Sequence, residues 1–151
     1  MATRCNIRVT DGGRKLSWLY RHWDGYPACT GADLAQTLKR LLAKSAEELK
    51  PETFVNELLG YRYADEPHRQ DAAIYEITDD LHGDIQWLYT VAFTPRGLRI
   101  EVREHLLFNG GRKRVIRFFG DLCEYRRYCA GSVVNMRRQI KKLRAAQRNA
   151  A

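Results

Sequence analysis

Near the start of the chain, eight residues bring several chemistry-bearing groups together: Tyr20-Arg21-His22-Trp23-Asp24-Gly25-Tyr26-Pro27. Arg21 offers a planar fork of donors suited to a phosphate or a carboxylate. His22 and Asp24 can share a proton or polarise a ligand group. Trp23 and Tyr26 can stack on a base or pack on a sheet. A second motif within residues 81–90, His82-Gly83-Asp84, adds another histidine and aspartate. If the two motifs converge, His22, His82, Asp24 and Asp84 suit metal-assisted hydrolysis, with Cys29 as a further ligand. The alternative is packing. Asp24-Gly25 is a turn signal, Pro27 stiffens the exit, and His82-Gly83-Asp84 suits a hairpin tip where Gly83 takes a positive φ.

The candidate ligand-binding residues are therefore Arg21, His22, Trp23, Asp24, Tyr26 and His82. The sequence calls for no cofactor or metal, because no close HxH or HxxxH pair is present. It contains no Walker A loop, GxSxG elbow, HExxH or GxGxxG, so no catalytic residue is assigned. Gly110-Gly111 beside Arg112-Lys113-Arg114 reads either as a phosphate-holding turn or as a plain turn flanked by solvated cations.

Charge supplies a second candidate site. The net charge of +8 is unevenly spread: residues 112–151 hold 12 Lys and Arg against two acids, and residues 1–111 hold 14 against 16. Such asymmetry suggests an acidic partner, a nucleic acid or an acidic protein surface; the alternative is a solvated tail that keeps the protein soluble. Val133, Met136, Ile140 and Leu143 recur at helical spacing, and Arg137, Arg138, Lys141, Lys142 and Arg144 fill much of the rest. This amphipathic basic helix must bury its apolar stripe against its own sheet, a second copy or a partner. A homodimer through the helix is one expectation.

These groups have to be positioned by a framework, and the 151 residues read as one α+β domain, 1–151, with a helical basic region over 120–151. Cys5, Ile7 and Val9 alternate, as do Leu16, Trp18 and Tyr20, and Asp11-Gly12-Gly13 joins the two runs as a β-hairpin. Thr30 reads as a helix cap, with Leu34, Leu38, Leu41 and Leu42 beyond it to about Ser45. A shorter helix starts near Pro51 and ends at Gly60; residues 61–71, with Pro67, form a surface connection.

Ala73, Tyr75 and Ile77 predict a short strand, and the alternation from Ile85 to Phe93 predicts a long one. Leu98, Ile100 and Val102 alternate with Arg99, Glu101 and Arg103, so that strand has one wet face. Asn109-Gly110-Gly111 turns into a cationic edge strand over 112–119. Gly131-Ser132 either breaks or kinks the terminal helix. The composite is an antiparallel sheet of about six strands with helices packed on one face. Cys5, Cys29, Cys123 and Cys129 form no CxxC pair and read as reduced, mostly buried thiols. No apolar run is long enough to span a membrane, and the N-terminus lacks a signal-like apolar region, so a cytoplasmic protein is expected.

Taken together, TRCNI at residues 3–7, YRHWDGYP with GADLA after it, and HGDIQWLYTV at 82–91 resemble a mostly uncharacterised family of small phage, prophage and mobile-element proteins. Members are similar in an opening strand, a YRHxDGYP loop and an HGDIxxLYT strand. The resemblance covers roughly residues 3–35 and 81–91 and carries over no catalytic residue. It implies an accessory protein that counters a bacterial host defence. The partner would be a host defence protein or nucleoprotein complex, a nucleic acid or a nucleotide. A non-enzymatic inhibitor is thus the first expectation, a nucleic-acid-binding protein using residues 112–148 the second, and a small hydrolase or nuclease the third.

Overall fold

A computed structural model describes residues 3–63, 68–69, 71–108 and 111–149. The elements run β1 (Cys5–Asp11), β2 (Arg14–Arg21), a π-helical turn (Pro27–Gly31), α1 (Ala32–Lys44), α2 (Pro51–Leu59), β3 (Glu76–Thr78), β4 (Trp87–Thr94), β5 (Gly97–Phe108), β6 (Gly111–Gly120) and α3 (Leu122–Asn149). They form a six-stranded sheet in the order β3-β2-β1-β4-β5-β6. The α+β class, the strand number and the C-terminal helix match the sequence expectation.

One pairing departs from it. β1 and β4, at the centre, run parallel, and every other neighbouring pair is antiparallel. A parallel pair needs a long crossover, and α1 and α2 lie within the connection between these two strands. Hydrophobic alternation reports which face a residue occupies but carries no strand direction, so the sequence does not reveal the pairing.

The core lies between the sheet and the helices. Cys5, Ile7 and Val9 of β1, Tyr89, Val91 and Phe93 of β4, and Ile100 and Val102 of β5 point to one face. Leu34, Leu38 and Leu41 of α1, Phe54 and Leu58 of α2, and Tyr125 and Cys129 of α3 pack with them. Helical spacing of the leucines and the alternation in the strands account for this directly. In β2 the inward residues are Leu19 and Arg21, which pair in register with Ile7 and Cys5. The aligned residues Leu16, Trp18 and Tyr20 do not face the core. A bulge between Val9 and Thr10 leaves Leu16 without a register partner and 42 % exposed. Trp18 and Tyr20 pair with Arg8 and Asn6 on the opposite face.

Local departures have local causes. Thr30 does not cap α1. It sits inside the π-helical turn, where its hydroxyl donates to the Asp24 carbonyl at 3.0 Å. The strand expected at 73–77 shrinks to β3, because Ala73 bridges Arg62 instead and Tyr75 turns into the core. α3 passes through Gly131-Ser132 unbroken. Its start is a reciprocal cap: the Asp121 carboxylate accepts from the Glu124 N–H and the Glu124 carboxylate from the Asp121 N–H, each at 2.9 Å. The predicted turn residues Asn109 and Gly110, and Pro67 of the surface connection, lie outside the described residues.

Candidate functional site

The first loop is anchored where it leaves β2. Arg21 is 5 % exposed. Its Nη1 donates to Asp33 Oδ2 and to the Tyr75 hydroxyl, each at 2.9 Å, and its Nε donates to the Trp23 carbonyl. The Tyr75 hydroxyl itself donates to Asp33 Oδ2 at 2.7 Å. Burial opposes the guanidinium charge, but Tyr75 and Asp33 outweigh it, so the pKa is raised and the charge is fixed. Arg21 therefore ties β2 to α1 and to the segment before β3, with its fork turned into the protein.

Beyond Arg21 the chain turns back onto the beginning of β1. Asp24 adopts a positive φ of 58°, a conformation tolerated best by Asp, Asn and Gly. Gly25 donates its N–H to the Thr3 carbonyl at 2.7 Å and accepts the Tyr89 hydroxyl at 2.8 Å. Gly25 lies so close to β1 that a Cβ there would stand 2.8 Å from Arg4 C, Cys5 N and Cys5 Cβ. The Tyr26 hydroxyl donates to Asp24 Oδ1 at 3.2 Å. Burial, then Cys29 and Asp24, push the Tyr26 phenol pKa upward. Trp23 is half-buried, with the His22 ring 4.1 Å away and the Arg69 guanidinium 3.5 Å over its face.

The two sequence motifs do meet, and the junction is Tyr20. His82 stacks on the Tyr20 ring at 4.0 Å, nearly parallel, and His22 approaches its edge, with Nδ1 3.3 Å from the hydroxyl. His82 also holds Thr78 Oγ1 through Nε2 at 2.9 Å, and its backbone N–H donates to Asn6 Oδ1. Asp84 is paired with Arg4 at 2.7 Å, and Arg112 donates to the Gly83 carbonyl. Convergence thus produces a stacked joint of three rings, with Asp24 and Asp84 engaged elsewhere. Among the described residues no group of three or more His, Cys, Asp or Glu is placed to hold a metal ion.

Of the candidate ligand residues, Arg21, Asp24 and Tyr26 are held together through the first loop, and Trp23 stands half-buried beside it, lining with His22 and Tyr20 a cavity of about 220 Å³. His22 and His82 flank Tyr20. A cavity of about 380 Å³ opens nearby, lined by Tyr26, Trp87, Tyr128, Ser132 and Met136 among others, and it reaches none of the other five candidates. Cys29 is half-buried and Cys123 exposed. Burial pushes the Cys5 thiol up to about 12 and the Cys129 thiol up to about 11, so neither is a ready nucleophile.

The basic region is arranged differently. The first turns of α3 are inserted: Tyr125 and Cys129 are buried, and Phe118 of β6 stacks on Tyr128. Ser132, Val133 and Met136 are half-buried. Beyond Met136 the described side chains of the helix are exposed, although Gln139 still lines the cavity with Tyr26 and Trp87. Arg137, Arg138, Lys141, Lys142, Arg144 and Arg148 are all exposed, and none has an ion-pair partner among the described residues. Ile140, in the apolar stripe, is 39 % exposed. Arg112, Lys113 and Arg114 on the edge strand β6 are exposed as well. No helix among the described residues is long and apolar enough to cross a membrane.

Compared with known proteins, the chain matches no family model, no curated protein and no solved structure.

A set of residues that the motif search passed over lies on the sheet face opposite the helices: Arg8, Trp18, Leu88, Arg103 and Arg114. The available signal was their phase. Arg8 and Arg103 alternate with the core residues of their own strands, and hairpin register would have put Trp18 beside Arg8.

Proposed function

We propose that this chain is a non-enzymatic accessory binding protein that inhibits a bacterial defence system, and that it engages an acidic partner through the distal part of α3. The observation that carries this reading is the row of cations Arg137, Arg138, Lys141, Lys142 and Arg144, exposed on α3 and without ion-pair partners among the described residues. A helix end whose side chains are exposed gains little from the fold itself, so its composition answers to something outside. The resemblance of YRHWDGYP and HGDIQWLYTV to phage, prophage and mobile-element proteins suggests a host defence protein or nucleoprotein complex as that partner, in the bacterial cytoplasm. The internal engagement of Arg21, Asp24 and His82 supports reading the two motifs as parts of the scaffold, and binding over turnover.

The test is protection of a phage from defined host defence systems, measured with the wild-type protein and with a variant carrying Gln at 137, 138, 141, 142 and 144. The expected result is protection against at least one system, lost in the variant while the fold is retained. Absence of protection by a folded wild-type protein, or full protection by the variant, overturns the reading.

A second reading is favoured by the exposed Arg112, Lys113 and Arg114 of β6, a second group of cations within the same basic region. In that case residues 112–148 bind nucleic acid directly. Binding would then weaken steeply as salt rises, because phosphate neutralisation releases counterions, and a gel shift at two salt concentrations reads this out.

A further inference from the structure

All three helices contribute to the core on one side of the sheet, and no described helix contributes residues to the other. Part of that other face lies under the segment before β4, whose His82 stacks on Tyr20 and bonds Asn6, and the rest carries rings and arginines. Strand register sets Trp18, Arg8, Thr90, Glu101 and Phe119 in one row across five strands, and Tyr20, Asn6, Leu88, Arg103 and Ile116 in the next. Arg114 follows beside His105. Phe119 is 66 % and Ile116 56 % exposed. Asn6 is fully buried and its register neighbour Leu88 only 8 % exposed, so the second row is covered where His82 bonds Asn6.

Cations exceed acids here. Glu101 pairs with Arg103 at 2.6 Å and Asp84 with Arg4 at 2.7 Å. Glu76 lies opposite Tyr20 at the β3 edge. Arg8 and Arg114 have no carboxylate partner among the described residues. Arg8 instead lies 5.8 Å over the Trp18 ring, which Lys15 also approaches at 5.9 Å. The Nε–H groups of Arg4 and Arg8 are beneath the surface with no acceptor among the described residues. Buried donors without partners are uncommon, and they mark where an acceptor is missing.

We propose that the row from Trp18 to Phe119 on this sheet face binds single-stranded nucleic acid, with bases stacking on Trp18 and Phe119 and phosphates held by Arg8 and Arg114. Two requirements of a single-strand site are met. Rings provide stacking surfaces that any base can use, and interleaved cations track the backbone. Trp18 and Phe119 stand four strand spacings apart, about 19 Å at 4.8 Å per strand, a span that an extended strand can bridge and a single nucleotide cannot. The site is separate from the distal part of α3, and it stands whether or not the helix binds a defence protein.

The experiment is anisotropy with labelled short oligothymidylate and oligouridylate on the full-length protein at two salt concentrations. Variants are Trp18→Leu, Arg8→Gln and, as a contrast, the α3 variant with Gln at 137, 138, 141, 142 and 144. The expected result is salt-sensitive binding of at least one oligonucleotide that weakens about tenfold in Trp18→Leu and in Arg8→Gln. Because Trp18→Leu can disturb the strand, ultraviolet cross-linking of the wild-type complex supplies a second reading, with adducts expected in residues 14–21. Absence of binding, equal competition by duplex, or cross-links confined to α3 overturns the proposal. The last outcome assigns nucleic acid to the helix instead. Loss of phage protection in the α3 variant with oligonucleotide binding intact separates the two sites.

Discussion

Arg21 and Asp33 form a 2.9 Å ion pair that the Tyr75 hydroxyl closes into a triangle, donating to Asp33 while accepting from Arg21. One residue of the most conspicuous sequence motif is thereby joined to the first turn of α1 and to a core tyrosine. Removing one member leaves the others without their partners in a largely dry place. Arg21→Met is expected to lower stability by about 3 kcal/mol, as for other broken buried pairs. Arg21→Met combined with Asp33→Leu should recover part of that loss, because no charge is then stranded. Urea denaturation of the two variants checks this. Equal stability of Arg21→Met and the wild type would show that the arginine is available for other work.

Gly25 makes a sharper steric prediction. Any side chain at this position meets the backbone of Arg4 and Cys5 at 2.8 Å, and backbone cannot swing aside as a flexible side chain can. Gly25→Ala should therefore cost about 1–3 kcal/mol through overpacking, with the loop displaced from β1. Thermal melting measures the loss. Gly111, with nothing near its would-be Cβ, is the control: Gly111→Ala should be close to neutral.

How much of this was legible beforehand differs between elements. The β1 row of Cys5, Ile7 and Val9 and the leucines of α1 were visible because burial writes a period into the sequence. The β1–β4 parallel pairing was not, since it depends on the path of a long crossover. The alternation of Trp18 and Tyr20 puts them on one face but, for a related reason, does not say which. Large aromatics in phase look like a core row, but in β2 the inward phase belongs to Leu19 and to Arg21, a charge whose partners lie far along the chain at Asp33 and Tyr75. Arg21 was likewise read as a ligand fork because an arginine's internal partners are invisible without the tertiary fold. The cationic character of α3 needed no partner to be read, being a property of composition alone.

His105 should make stability pH-dependent in a defined direction. Burial, followed by the nearby cations Arg114, Arg112 and Arg103, lowers its pKa from the ordinary 6.5. The unfolded chain then binds the proton more readily than the folded one. Stability is full above about pH 6.5 and falls as the pH drops through that value towards the lower folded pKa. Urea midpoints at pH 7.5 and 5.5 should show this loss, and His105→Gln should shrink it. A variant with the same acid sensitivity as the wild type would place its origin in other groups.

The distal part of α3 holds its helix against its own charge. Arg137 and Lys141, Arg138 and Lys142, and Arg144 and Arg148 are like-charged pairs four residues apart on an exposed segment. Each such pair disfavours the helix by about 0.2–0.5 kcal/mol, and there is little packing to offset it. Helical content at the C-terminus should therefore rise with salt, as screening weakens the repulsion, and rise further with a polyanion that neutralises the row. Circular dichroism at 222 nm in stepped sodium chloride reads the first effect. Amide exchange of residues 137–148 reads where it occurs, with slow exchange expected up to Cys129 and fast exchange beyond Met136. Slow, salt-independent exchange along the distal turns would mean that a second copy already covers them, and the cations would then belong to a homodimer interface.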